Sequence, residues 1–145
     1  MQILGMLKSD PETDANPPPF DPVLMARMGD FVEEAAKAGV LVATNGLHPS
    51  AAGKRIKLDR GKVTITDGPF TESKELVSSF ALFEVTSMDE AVHWTTRFLE
   101  ILGKGECELR PVFETSDFPD DLLAPEEVTQ EKATRQQMAL NAAKR

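Results

Sequence analysis

The sequence predicts an α+β fold in which a sheet carries two helices on one face. Three observations predict it: short apolar strands alternate with two amphipathic helical stretches, each helical stretch has its own start and stop signals, and the elements run strand, helix, strand, hairpin, strand, helix, strand. Ile3, Leu4, Met6 and Leu7 make the first strand. Asp10 to Pro22 follows as an acid- and proline-rich connector, in which Pro11, Pro17, Pro18 and Pro19 are expected to block regular structure. Leu24, Met28, Phe31, Val32 and Ala35 then recur at spacings of three and four, with Asp21 as N-cap, Pro22 at the helix start and Gly39 as the stop. Val40 to Thr44 is the second strand, and Asn45 to Lys54, with Gly46, Pro49 and Gly53, reads as a loop. Arg55 to Leu58 and Lys62 to Thr66 form a hairpin around Asp59, Arg60 and Gly61. Phe80 to Val85 is the most apolar strand. Ser87 and Glu90 have the spacing of a capping box for the second helix, whose Ala91, Trp94, Phe98, Ile101 and Leu102 share a face and whose end is Gly103. Glu106 to Val112 is the last strand. Two strand-helix-strand units folded onto one side of a mixed or antiparallel sheet make the ferredoxin-like plan.

Composition excludes several classes of function. The chain has 145 residues, room for one domain from Met1 to Phe113 and an acidic tail from Glu114 to Arg145 that ends in a helix. A net charge of −8, with both parts acidic, repels phosphate backbones and anionic lipid, so neither nucleic acid nor a membrane surface is an expected partner. No apolar run approaches the ~20 residues of a membrane span, and Met1 to Ser9 lacks the features of a secretory signal, so the expected location is cytoplasmic. Cys107 is the single cysteine and His48 and His93 are the only histidines, so no disulfide, no nitrogen- or sulfur-rich metal site and no cofactor is expected.

The strands are apolar on both sides. Phe80 and Leu82 oppose Ala81, Phe83 and Val85, Leu41 and Ala43 oppose Val40 and Val42, and Ile3 opposes Leu4. Two helices cover one face only, and at ~25 cal/mol per Å² several side chains left in water would forfeit several kcal/mol. The expected cover is a second copy of the sheet, giving a homodimer; the competing cover is the tail, through Phe118, Leu122, Leu123, Val128, Met138 and Leu140.

The most distinctive stretch is Asp67-Gly68-Pro69-Phe70 followed by Thr71-Glu72-Ser73-Lys74-Glu75. Together with Gly46, Leu47 and Pro49 after the second strand, the strand Val63 to Thr66, Asp89-Glu90-Ala91 at the last helix and Glu108 to Val112, it resembles the DGPF, or YCII-related, family of small bacterial proteins over roughly Met1 to Phe113. The resemblance implies a ferredoxin-like fold that pairs into a dimeric α/β barrel, with a cleft suspected of enzymatic function. The family's suspected chemistry rests on a histidine and an aspartate, the histidine in part of the family lying on the first helix. Pro22 to Gly39 contains no histidine, and Ser78 and Ser79 stand where relatives often carry two glycines.

His48 and Asp67 are therefore the candidate acid-base pair, with Phe70, Lys74 and Arg110 as candidate ligand-binding residues around a small polar or anionic molecule. Each has a plainer reading. Asp67 suits a turn carboxylate, His48 an exposed loop side chain, Phe70 a core or interface anchor, and Lys74 an exposed ion pair with Glu72 or Glu75. Lys54, Arg55, Lys57, Arg60 and Lys62 read as a charged, solvated hairpin that protects its edge, or as one wall of an anion site. Two functions remain open: a small enzyme working by proton transfer, or a non-catalytic ligand-binding or accessory module.

Overall fold

The computed structural model describes residues 1–72, 76–119 and 121–144. Among them are the strands β1 (Gln2–Lys8), β2 (Leu41–Gly46), β3 (Lys54–Asp59), β4 (Lys62–Asp67), β5 (Val77–Glu84) and β6 (Cys107–Pro111) and the helices α1 (Pro11–Ala15), α2 (Pro22–Lys37), α3 (Met88–Leu102) and α4 (Pro125–Ala143), in the order β1-α1-α2-β2-β3-β4-β5-α3-β6-α4. Four strands form one sheet in the order β2-β5-β1-β6, and β3 and β4 pair separately. Every pairing is antiparallel. The connection from β1 through α2 skips over β5 to reach β2, and that from β5 through α3 skips over β1 to reach β6, so the fold is α+β and ferredoxin-like.

Local signals account for the helix ends. The Asp21 carboxylate accepts from the Val23 and Leu24 amides, Pro22 occupies the first turn, and Gly39 leaves α2 at φ +75°. Ser87 Oγ accepts from the Glu90 amide, but Glu90 reaches one residue further back than a capping box requires, to the Thr86 amide and hydroxyl, both at 2.8 Å. Those two donors, the amide first, hold the Glu90 carboxyl below its ordinary pKa. Gly103, at φ +82°, closes α3 by donating to the Leu99 carbonyl.

The connector expected to be irregular contains α1. Proline is tolerated at a first helical turn, and Asp10 caps it by accepting from the Thr13 amide and hydroxyl, at 2.8 Å each. The Thr13 amide is the main reason that the Asp10 carboxyl lies below its ordinary pKa.

Ile3, Phe83 and Val85 from the sheet, Phe31 and Ala35 from α2, Val40, and Ala91 and Trp94 from α3 form the core. The Phe31 and Trp94 rings sit 5.8 Å apart. At the solvent edge Arg97 grips Glu34 through two bonds of 3.0 and 2.7 Å while its guanidinium lies 4.8 Å above the Trp94 ring. Parity along β2 is interrupted: a register shift between Leu41 and Ala43 sets Leu41 beside Phe83 and Ala43 beside Leu82. Leu41 and Ala43, expected on one face, therefore lie on opposite faces, because a bulge inserts one residue into the alternation. The helix-free face carries Leu4, Met6, Ala43, Phe80 and Leu82, with Glu84, Glu108 and Arg110 at its edges.

The chain divides into compact units of residues 1–112 and 113–145. In the second, a short turn at Thr115–Asp117 leads to α4, Thr115 Oγ1 donates to Glu131 at 2.9 Å, and the Phe113 and Phe118 rings stack. No residue of α4 is buried, and Glu131 and Arg135 pair along its surface.

Candidate functional site

Two places in the first unit combine close geometry with chemistry-bearing residues. One is the turn after the hairpin. Gly68 donates to the Gly53 carbonyl at 3.0 Å, and a Cβ on Gly68 would stand 1.7 Å from the Ser50 carbonyl oxygen, so only glycine permits this approach. Phe70 donates its amide to Ser50 Oγ at 3.0 Å. Ser50 in turn donates its amide and hydroxyl to the two oxygens of Asp14, at 2.9 and 2.5 Å. The peptide between Gly68 and Pro69 is cis. Arg55 covers the Phe70 ring at 4.1 Å. These contacts lock the loop after β2 against the turn after β4 through Ser50, and the Asp14 carboxylate of α1 holds Ser50 in turn.

The other place is a cavity of about 450 Å³ between the sheet and helices α2 and α3. It exists because the helix-facing rows of the sheet are built from small side chains. Thr44, Ala81 and Gly5 lie in one row, which ends in Leu109, and Gly46 and Ser79 lie in the next beside Leu7 and Cys107; larger residues at the five small positions would have filled the space beneath the helices. Leu24, Met28, Phe31 and Phe98 supply apolar walls from α2 and α3. Thr44, Asn45, Ser79, Thr95 and Cys107 are its polar lining residues. Thr44 Oγ1 is occupied by donating to the Phe80 carbonyl at 2.8 Å. Burial pushes the Cys107 thiol above its ordinary pKa, so it stays protonated at neutral pH. Thr95 is 8% exposed and its hydroxyl oxygen is buried without a hydrogen-bond partner. An orphaned hydroxyl costs about 1–3 kcal/mol, which a ligand with one matching polar atom would recover. The volume falls within the ~300–1,000 Å³ typical of small-molecule sites.

Residues 1–116 match the YCII-related domain. The chain belongs to that family. Over 93 residues it is 28% identical to an uncharacterised protein of Rhizobium meliloti, a match spanning 63% of this chain and 75% of the relative. Among solved structures it is similar to 5-chloro-2-hydroxyhydroquinone dehydrochlorinase from Burkholderia phenoliruptrix in complex with 2,5-dihydroxybenzoquinone, at 14% identity and a TM-score of 0.42, covering 82% of this chain and 100% of that one.

In this YCII-related domain the residues expected at the site separate. The two loops do converge, as Gly68 and Ser50 show, but His48 is exposed and no hydrogen bond joins it to Asp67. The Asp67 carboxylate points instead to Lys54, its cross-strand neighbour in the hairpin, and both side chains are largely in solvent. Phe70 is an anchor, half-buried beneath Arg55. Arg110 lies on the helix-free face, because its partner in β1 is Leu4 rather than Ile3 or Gly5, and it stands 4.0 Å from Glu108. Lys74 lies outside the described residues. His93 is exposed at the edge of the Trp94 ring. Asp14, Ser50 and Thr95 were not among the expected site residues. Thr95 had a signal: it follows Ala91 by four and precedes Phe98 by three, a polar residue on the buried stripe of α3. Asp14 and Ser50, 36 positions apart, had none.

Proposed function

We propose that this YCII-related domain binds a small, neutral, largely apolar molecule between its sheet and helices α2 and α3. The observation that carries this reading is a mainly apolar cavity of about 450 Å³ with the unpartnered Thr95 hydroxyl in its wall. Among the described residues the lining contains no carboxylate, lysine, arginine or histidine, which favours a ligand without charge. Thr95 would fix its orientation by one hydrogen bond, and the apolar walls would supply most of the affinity. The test is titration with a neutral naphthylamine dye, followed by dye emission and by protection of Cys107 from a thiol reagent. Saturable binding that shields Cys107 supports the reading, and absence of both signals removes it.

A second reading, acid-base chemistry by His48 and Asp67 on a small polar ligand, is favoured by the docking of the loops that carry them. NMR titration of His48 separates the two: a midpoint that moves in Asp67→Asn supports the pair, and an unchanged one leaves Asp67 as the partner of Lys54. In both readings a second copy of the chain covers the face of the sheet opposite α2 and α3, which carries Leu4, Met6, Phe80 and Leu82.

A further inference from the structure

The cavity between the sheet and helices α2 and α3 has a closed end and an open one. Gly5, Phe31 and Thr95 line it and are buried, whereas Phe20, Met25, Asn45 and Gly46 line it and are exposed, so these four mark its mouth. Phe20 differs from the other three in size and in exposure. Its side chain is 90% exposed, the highest value of any large apolar residue among the described residues, and there it makes no ring or cation contact. An aromatic ring left in water gains from any apolar surface brought beneath it.

The backbone that carries Phe20 is short, stiff and tied at both ends. Residues 16–21 join α1 to α2, and Pro17, Pro18 and Pro19 hold φ at about −65° and lack amide donors. On one side the Asp14 carboxylate binds Ser50, and on the other Asp21 caps α2 through the Val23 and Leu24 amides. The strap has little room to travel, so the part free to move is the Phe20 side chain, by rotation about its own χ1. The chemistry of the mouth sets which end of a ligand it meets. None of the four mouth residues is charged, and the unpartnered Thr95 hydroxyl lies at the buried end. A ligand that turns its polar atom inward to Thr95 presents its apolar end to Phe20 and Met25, and a charged outer end would lose water there with no counter-charge in the lining.

We propose that Phe20 is the closing residue of the cavity, its ring folding onto the outward, apolar end of the bound ligand. The inference rests on the cavity reading of the preceding subsection and adds how the ligand is retained and which end faces out. Titration of the full chain with the neutral naphthylamine dye tests it, comparing the natural sequence with Phe20→Ala. Because this side chain is 90% exposed, its removal is expected to leave the urea midpoint unchanged while the dissociation constant of the dye rises about tenfold, chiefly through faster release in stopped flow. Phe20→Leu keeps an apolar side chain and is expected to retain most of the affinity. Val23→Ala is the control, since Val23 is 69% exposed in the same first turn of α2 but lies outside the lining. Saturable binding that shields Cys107 with the same constant in Phe20→Ala, or an equal loss in Val23→Ala, overturns the closing ring and leaves the cavity reading standing. A natural chain that neither brightens the dye nor protects Cys107 overturns both.

Discussion

Gly68→Ala tests how much the docking of the two loops contributes to the first unit. The added Cβ would lie 1.7 Å from the Ser50 carbonyl oxygen, 2.6 Å from its carbon and 3.2 Å from Ala51 Cα, all backbone atoms that no rotamer change can move aside. The turn must withdraw, and with it go the Gly68 to Gly53 bond at 3.0 Å and the Phe70 to Ser50 bond at 3.0 Å. At about 1 kcal/mol each, plus about 1 kcal/mol for disturbed contacts around Phe70, the expected loss is about 3 kcal/mol. That is a large fraction of a typical stability of ~5–15 kcal/mol. Urea unfolding followed by the single tryptophan, Trp94 in the core, measures the global loss, and amide exchange at Phe70 measures any local release. Gly29→Ala is the control. Nothing lies within 4 Å of its added carbon in the middle of α2, so a gain of about 0.5–1 kcal/mol is expected from helix propensity. If Gly68→Ala leaves both the unfolding midpoint and Phe70 exchange unchanged, the close-approach argument is refuted.

Thr95→Val is expected to raise the stability of the unliganded protein by about 1 kcal/mol, because it removes a buried hydroxyl that has no partner, while weakening any ligand that bonds to that oxygen by about tenfold; calorimetry and dye displacement measure the two. The Arg97 bonds hold the Glu34 carboxyl below its ordinary value of 4.5, so this pair stabilises the fold above that pH and its contribution is lost as pH falls through the lowered value. Glu34→Gln is therefore expected to flatten the fall of melting temperature below pH 4.5, and an identical acid limb in both proteins would contradict it. Truncation after Val112 is expected to leave a folded protein with native Trp94 emission, since every residue of the core cluster lies before that point; loss of soluble protein would assign the tail a structural role.

Features decided within one turn of the chain were legible in the sequence. Asp21, Gly39, Ser87 and Gly103 end their helices where composition placed them, since cap bonds join residues two to four apart and need nothing distant. Helix faces, the hairpin and the element order followed from periodicity for the same reason, and with them the ferredoxin-like plan. Local rules also had their exception in α1, where proline at a first turn was read as a breaker although Asp10 caps it. The sites depended on register between strands that are far apart in sequence. A bulge after Leu41 reverses the faces of β2, and Arg110 stands away from the cavity because it pairs with Leu4. The cavity itself arises only when Gly5, Thr44, Gly46, Ser79 and Ala81, each unremarked alone, fall into adjacent rows under two helices. Asp67 takes Lys54 because cross-strand pairing sets them side by side, and Phe70 meets Ser50 because two loops close on Gly68, which has no side chain to hold them apart. Backbone pairing and close packing act between segments tens of residues apart, so these juxtapositions exist only in the folded chain.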